Sequence, residues 1–249
     1  MTRNSEPIEP PRPVERPTRP TGRPVQRPAA VRGLRTPRLG RPPQVDREAI
    51  VRAALAVGFG QLGMSSVAQH LGIKHSTLYR YFPTRDALVT AAVDAVVTQA
   101  RWPEPQGQWR RDLGEHAWAT FRLLDRYAGL AAHIVSLRID SDAYGEVSHR
   151  TVTHLVDLGF SAENAILAYD LVHEQVLMFF LAGQRRDEPA KTADQAAELR
   201  REMLPDALPN VDPRLRDALT GIVTGSPDAW FARKLDVLLD GLAALAPEE

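Results

Sequence analysis

Met64-Ser65-Ser66-Val67-Ala68-Gln69-His70-Leu71-Gly72-Ile73-Lys74-His75-Ser76-Thr77-Leu78-Tyr79-Arg80-Tyr81-Phe82 is the stretch that decides the reading of this chain. Val67, Ala68 and Leu71 recur at i, i+1 and i+4, so they share one face of a helix. Ser65 or Ser66 offers the hydroxyl expected to cap its start. Gly72 takes the chain through a tight turn, where a left-handed backbone costs glycine little. Ile73 is apolar and is expected to fill the gap between two helices. In the second helix Leu78 and Phe82 face inward at i, i+4. His75, Ser76, Thr77, Tyr79 and Tyr81 are left outside. Such a donor and acceptor set suits a helix in the major groove of DNA. The same pattern also fits an ordinary helical hairpin with a polar outer face.

The flanks separate these readings. Thr77-Leu78-Tyr79-Arg80-Tyr81-Phe82-Pro83-Thr84-Arg85-Asp86-Ala87-Leu88 resembles the signature closing the DNA-binding domain of TetR-family (tetracycline-repressor-type) regulators. Ala49-Ile50-Val51-Arg52-Ala53-Ala54-Leu55 resembles that family's first helix. Val67-Ala68 and Leu71-Gly72-Ile73 resemble its second helix and turn. The resemblance spans Asp46 to about Asp94. It implies an all-α fold, a helix-turn-helix at about Gly63 to Phe82, and DNA contacts from Ser65, Ser66, Lys74, His75, Ser76, Thr77, Tyr79, Tyr81 and Arg85. His75, Ser76 and Tyr79 are expected at base edges, and Thr77, Tyr81 and Arg85 at phosphates. Asp46 is a suitable N-cap for the first helix, with Glu48 in its first turn. Pro83 breaks the recognition helix and Thr84 caps the next one, Ala87 to Arg101.

Charge is arranged unevenly along the chain. The formal net charge is zero over 249 residues, but Met1–Gln44 holds ten Arg against three Glu, and eleven of the 20 prolines. That segment lacks the apolar side chains needed to offset chain entropy. It reads as a disordered arm with polyproline character over residues 1–44. Its arginines either add phosphate or minor-groove contacts or form a solvated tail. Residues 45–101 then form the DNA-binding domain and 106–249 a helical body, parted at Pro103, Pro105 and Gly107. There is no cysteine, and hydrophobic residues make up 43%. Absence of thiols fits a reducing cytoplasm, the expected location. No apolar run reaches the roughly 18 residues of a membrane span, so no membrane partner is expected. No His-x-x-x-His pair, phosphate loop or nucleophile elbow occurs. No catalytic residue, cofactor or metal is therefore expected.

The body reads as helices at Trp109–Tyr127, Leu130–Arg138, Ala143–Leu158, Ile166–Gly183 and Pro227–Ala246, with a mobile, partly helical linker from Gln184 to Pro213. His154 with Asp157, and His173 with Glu174, read as surface or interface polar groups. Trp109, Asp112, Ala117, Phe121-Arg122 and Leu158-Gly159-Phe160-Ser161 with Glu163-Asn164-Ala165 resemble the ligand-binding domain of the tetracycline repressor. That resemblance implies a homodimer built on the last two long helices, with Val176, Phe180, Trp230, Leu235, Leu239 and Leu242 at the interface. It also implies a small-molecule effector in a pocket lined by Phe121, His133, Ser136, Val172 and Leu177. His133 follows Gly129 at the spacing of the repressor's metal-binding histidine. The second metal contact counts to Ala182, which has no ligand atom; only magnesium-dependent tetracycline binding lost in His133→Ala would point to another carboxylate, Asp187 or Glu188, as completing the site. A magnesium–tetracycline site is therefore not expected. The expected function is a ligand-released repressor on a palindromic operator. Two rivals stay open: an architectural DNA-binding protein without an effector, and an enzyme with a vestigial DNA-binding head.

Overall fold

The computed structural model describes residues 45–136, 141–187 and 212–247, with the backbone alone for 184–187. The arm, most of the linker and Glu188 lie outside the described residues, as does the side chain of Asp187. Among the described residues every regular element is helical.

Helix α1 (Arg47–Val57) begins where expected: Asp46 accepts from the Ala49 N–H at 2.7 Å. Ile50, Ala53 and Ala54 are its buried stripe. A 3-10 turn, Phe59–Gln61, leads to α2 (Met64–Leu71). The N-cap there is Gly63, which corrects the expectation of a serine cap. Glycine has no side chain to offer, so Ser66 organises the start from inside the first turn. Its Oγ accepts from the Gly63 N–H at 3.1 Å and donates to the Gln61 carbonyl at 2.7 Å. Gly72 sits at φ 64°, ψ 29°, and the Ile73 N–H closes back on the Ala68 carbonyl. That is the left-handed cap that lets the chain reverse between two helices. Helix α3 (His75–Tyr79) is short, but the N–H groups of Tyr81 and Phe82 still bond the Leu78 carbonyl at 2.9 Å.

Helix α4 (Arg85–Gln99) buries Leu88, Val89, Ala92, Val93, Val96 and Val97. It packs on α1 at one end and on the body helix α7 (Asp142–Asp157) at the other. Asp94 of α4 caps α7: the Ser141 hydroxyl donates to it at 2.6 Å and the Ala143 N–H at 3.3 Å. Helix α5 (Trp109–Arg126) and α8 (Ala162–Asp187) form the centre of the body, with α6 (Leu130–Val135), α7 and α10 (Pro227–Leu242) packed round α8. Phe121, Phe180, Phe231 and Trp118 meet at ring distances of 4.7–5.1 Å. Each such pair adds about 0.5–1.5 kcal/mol beyond its burial.

Sequence reading missed helix α9 (Pro213–Thr224), whose N-cap Asp212 accepts from the Arg214 N–H. An aspartate followed by proline at the first helical position is a start signal. Its lack of any buried side chain explains the weak apolar pattern.

Candidate DNA-reading face and effector cleft

Leu78 and Phe82 have no exposed surface and lie in the core with Ile50, Phe59, Val67 and Leu88. They fix which way α3 faces. His75, Ser76 and Tyr79 project outward, Lys74 is exposed at its N-cap, and Thr77 is half-buried. His75 and Tyr79 meet edge to face at 5.1 Å, and the exposed Ser65 hydroxyl lies 3.4 Å from His75 Nε2. These six form one polar surface with hydrogen-bonding capacity to spare.

Two of the expected DNA contacts are otherwise engaged. Ser66 is tied into the α2 start. The Tyr81 hydroxyl donates to the Val45 carbonyl at 2.6 Å, and its own carbonyl accepts from Arg47. A hydroxyl committed at that distance is a structural tie, so Tyr81, expected at a phosphate, anchors the entry of α1 in the DNA-free chain. Arg47 also lies over the Phe82 ring at 4.2 Å, a clamp with no sequence signal of its own. Arg85 is half-exposed. Its Nε donates to the Leu62 carbonyl at 3.2 Å, and the ion pair to Asp86 is loose at 3.9 Å. An exposed pair of that length contributes little, about 0–1 kcal/mol. The guanidinium is thus oriented by Leu62 while its outer N–H groups face solvent.

None of the five expected pocket residues lines the groove at Trp230 and Leu242 or the small cavity at Trp102 and His116. Phe121, Val172 and Leu177 are buried in the core. His133 turns toward α1–α2, where its Nε2 hydrogen-bonds the Phe59 carbonyl at 3.0 Å and its ring packs on Phe59 at 5.8 Å. A carbonyl only accepts, so Nε2 carries the proton. Ser136 is exposed and donates to the His133 carbonyl. Gly129 starts α6 at φ 89°, and a Cβ there would lie 2.6 Å from the Gly60 nitrogen. Glycine is thus what lets α6 touch the 3-10 turn.

The body's polar interior lies instead between α5, α7 and α8. Tyr144, Ser148 and Thr151 sit on one face of α7 at i, i+4, i+7; Tyr169 and His173 sit on α8 at i, i+4. The Tyr144 hydroxyl hydrogen-bonds His173 Nε2. Ser148 and Tyr169 share a hydrogen bond at 2.6 Å, and Thr151 lies 3.3 Å from His116 Nδ1. Tyr169 and His173 stack at 5.4 Å with 6° between planes. Burial pushes His116 down to about 3 and His173 down to about 4, and pushes the Tyr144 phenol up. Both imidazoles are therefore neutral near pH 7. That spacing was the available signal, but rings on α8 count as apolar in a periodicity reading. His173, expected as a surface or interface polar group, is half-buried between α7 and α8 within the chain.

His154 pairs with Asp112, not Asp157: its Nε2 lies 2.8 Å from Asp112 Oδ2. Burial raises the Asp112 carboxyl, but donors from the Gln106 N–H, His154 and the Gln108 and Gly107 N–H groups outweigh it. They hold the carboxyl below its ordinary value. Among the described residues no group of three or more His, Cys, Asp or Glu is placed to hold a metal.

The intended interface residues divide. Val176, Leu235 and Leu239 are 0–4% exposed inside the chain's own core, so they have no surface to offer a second copy. Leu242 is buried at the floor of a surface groove, Trp230 lines that groove, and Phe180 is half-buried in the aromatic cluster. Other apolar side chains of α8 and α10 are bare: Ile166, Leu167, Leu171, Met178 and Val237, the last 68% exposed.

Residues 47–92 match the model of bacterial regulatory proteins of the tetR family, and residues 103–246 that of the tetracyclin repressor-like C-terminal domain. The tetracycline repressor protein class C of Escherichia coli is 29% identical over 206 residues, covering 80% of this chain and 91% of that protein. The class A repressor from transposon 1721 of Escherichia coli is 28% identical over 201 residues, covering 78% of this chain and 88% of that protein. The crystal structure of the TetR family protein ActR of Streptomyces coelicolor in complex with actinorhodin is 25% identical. It covers 83% of this chain and 99% of that one, with a TM-score of 0.66. With both family models matched across the described helices, the chain belongs to the tetR family of bacterial regulatory proteins and is a ligand-responsive DNA-binding regulator.

Proposed function

We propose that the chain is a cytoplasmic, homodimeric repressor. Two copies of α3 read a pseudo-palindromic operator, and a small effector lodged between α5, α7 and α8 releases it. The observation that supports this most is the α3 surface. His75, Ser76 and Tyr79 stand outward on a helix whose other side is locked by Leu78 and Phe82. One five-residue helix reads few base pairs, and a twofold pair spaced by one helical turn multiplies the discrimination. The dimer surface is assigned to the bare stripe. On α8 it runs Leu167, Leu171, Gln175, Met178; on α10 it runs Trp230, Lys234, Val237, Gly241. Steps of three and four residues keep each set on one side of its helix. The stripes border an open groove of about 610 Å³ floored by Leu238 and Leu242. Helix α8 is long and apolar enough to cross a membrane by composition, and this pairing gives its second apolar face a protein partner.

The reading is tested on the full-length chain with the DNA upstream of its gene. The expected footprint shows two half-sites about one turn apart, and sedimentation shows a dimer. Val237→Glu is expected to dissociate the dimer and abolish the footprint while the helix content stays. A folded wild-type monomer at micromolar concentration, or full operator binding by the Val237→Glu monomer, rules the reading out.

A further inference from the structure

The cleft facing α5 and α7 is closed. The space bounded by Trp102–Pro105, His116, Arg150, Thr151 and His154 is about 30 Å³. That admits a water or two, whereas small-molecule sites run to roughly 300–1,000 Å³. One wall has to move for any effector to enter. Helices α5 and α7 are held by Leu113 and Leu155, both 1% exposed. The third wall, Trp102–Pro105, is not helical, and Pro103 and Pro105 have no N–H to tie them down. It is fastened at its ends: the Trp102 indole N–H donates to the Val97 carbonyl at 3.0 Å, and Asp112 holds the N–H groups of Gln106, Gly107 and Gln108. Trp102 itself stacks on His116 at 5.3 Å and 21°.

We infer that Trp102 is a built-in plug occupying the seat of the effector's ring. The ligand class is a planar aromatic acid whose ring replaces the indole on His116 and whose anionic oxygen meets Arg150. The inference rests on the effector-release reading above and names its ligand class. His116 is buried and neutral, so it presents a flat ring without a charge to satisfy. Arg150 lines the same cavity, its charge is felt at His116, and it makes no ion pair among the described residues. Asp112 is already bonded by four donors. Glu104 lies on the strip that leaves. Displacing the indole also removes one of two donors from the Val97 carbonyl, the other being the Ala100 N–H at 3.2 Å. The last turn of α4 therefore loosens when the seat is taken, which ties ligand entry to the helix that follows the reading helix in the chain.

The test is calorimetric titration of the full-length protein, without DNA, using 1-hydroxy-2-naphthoate as the planar acid and cyclohexanecarboxylate as the non-planar one. Trp102→Ala and Trp102→Leu are each expected to tighten naphthoate binding about tenfold, because a competing internal ligand is gone. Arg150→Gln is expected to weaken it about tenfold, the scale of one charge-assisted contact. Cyclohexanecarboxylate is expected to bind none of the four proteins. Unchanged or weaker naphthoate binding in both Trp102 variants makes the indole a wall and overturns the plug. No naphthoate binding to any of them, or equal binding of both acids, overturns the ligand class. Since DNA is absent, a chain that footprints its operator but fails here loses only this inference. One that binds naphthoate but no operator loses the repressor reading instead.

Discussion

The α3 surface and the α5–α7–α8 interior are built from the same residue types, and they behave in opposite ways. Outside stand His75, Ser76, Thr77 and Tyr79; inside stand His116, Tyr144, Ser148, Thr151, Tyr169 and His173. The inner hydroxyls and imidazoles have partners within the chain, and among the described residues no buried side-chain N or O atom lacks one. The outer groups keep most of theirs for whatever approaches. Side-chain chemistry alone does not distinguish a reading face from a satisfied core; the burial of the helix beneath does. The inner set affects stability through desolvation, whereas the outer set leaves stability nearly untouched and acts only when DNA is present.

The sharpest break of that contrast is at the support rather than at either polar set. Phe82→Ala empties a site with no exposed surface and removes the ring under Arg47. Loss of about 3–5 kcal/mol in urea unfolding is expected. Next in size is a pH effect confined to the interior. His116 and His173 have folded values below the ordinary histidine range, about 3 and about 4. Between roughly pH 6.5 and those values the unfolded chain binds more protons, so stability falls as pH falls. The limiting slope is about 1.4 kcal/mol per pH unit for each histidine. Urea melts at pH 7.5 and 5 measure it, and replacing both histidines with glutamine is expected to flatten the difference. A slope that survives that double replacement removes the histidines as its cause.

Smaller effects come from the outer face. His75→Ala is expected to cost about 1–3 kcal/mol of discrimination between the operator and a sequence changed in its half-site. Arg85→Ala is expected to weaken binding to all sequences and lower the slope of log affinity against log salt by about one. If Arg85→Ala changed sequence preference and His75→Ala did not, the assignment of the α3 face is wrong. The smallest effect sharpens the comparison most: Ser76→Ala is expected to shift unfolding by no more than about 0.5 kcal/mol, whereas Tyr169→Phe, which removes the partner of a half-buried hydroxyl, is expected to cost about 1–3 kcal/mol.

What was legible in the sequence follows the range of the interactions. Asp46 capping α1, Gly72 turning between α2 and α3, and Leu78 with Phe82 facing inward all depend on neighbours within a few residues. So does the Thr84 cap of α4, where the hydroxyl accepts from the Ala87 N–H at 3.0 Å. The polar interior was not legible, because it exists only once α7 lies against α8. His154 has Asp157 three residues away in sequence and Asp112 forty-two away, and the distant one is its partner. Helix α8 is apolar on two sides, and periodicity does not say which side is inner. Packing decides it: Ala165, Ala168, Val172 and Val176 are at 0–1% exposure while Leu167, Leu171 and Met178 stay open. His133 was read from its spacing to Gly129 as a pocket residue; the close approach of Gly129 to Gly60 turns it toward Phe59 instead.

The cap on α7 has a consequence for how motion in this molecule is seen. A helix normally closes its first turn with a side chain from its own N-terminus; α7 also borrows the Asp94 carboxylate from α4. Its opening amides are consequently not free to exchange with solvent at a rate set by α7 alone. When α4 slides, the Ala143 N–H loses its acceptor and the Ser141 hydroxyl loses its anchor, even if α7 stays helical. Local opening is what hydrogen exchange reports, so the protection of Ala143 and Tyr144 works as an internal gauge of where α4 sits, readable without DNA or crystal.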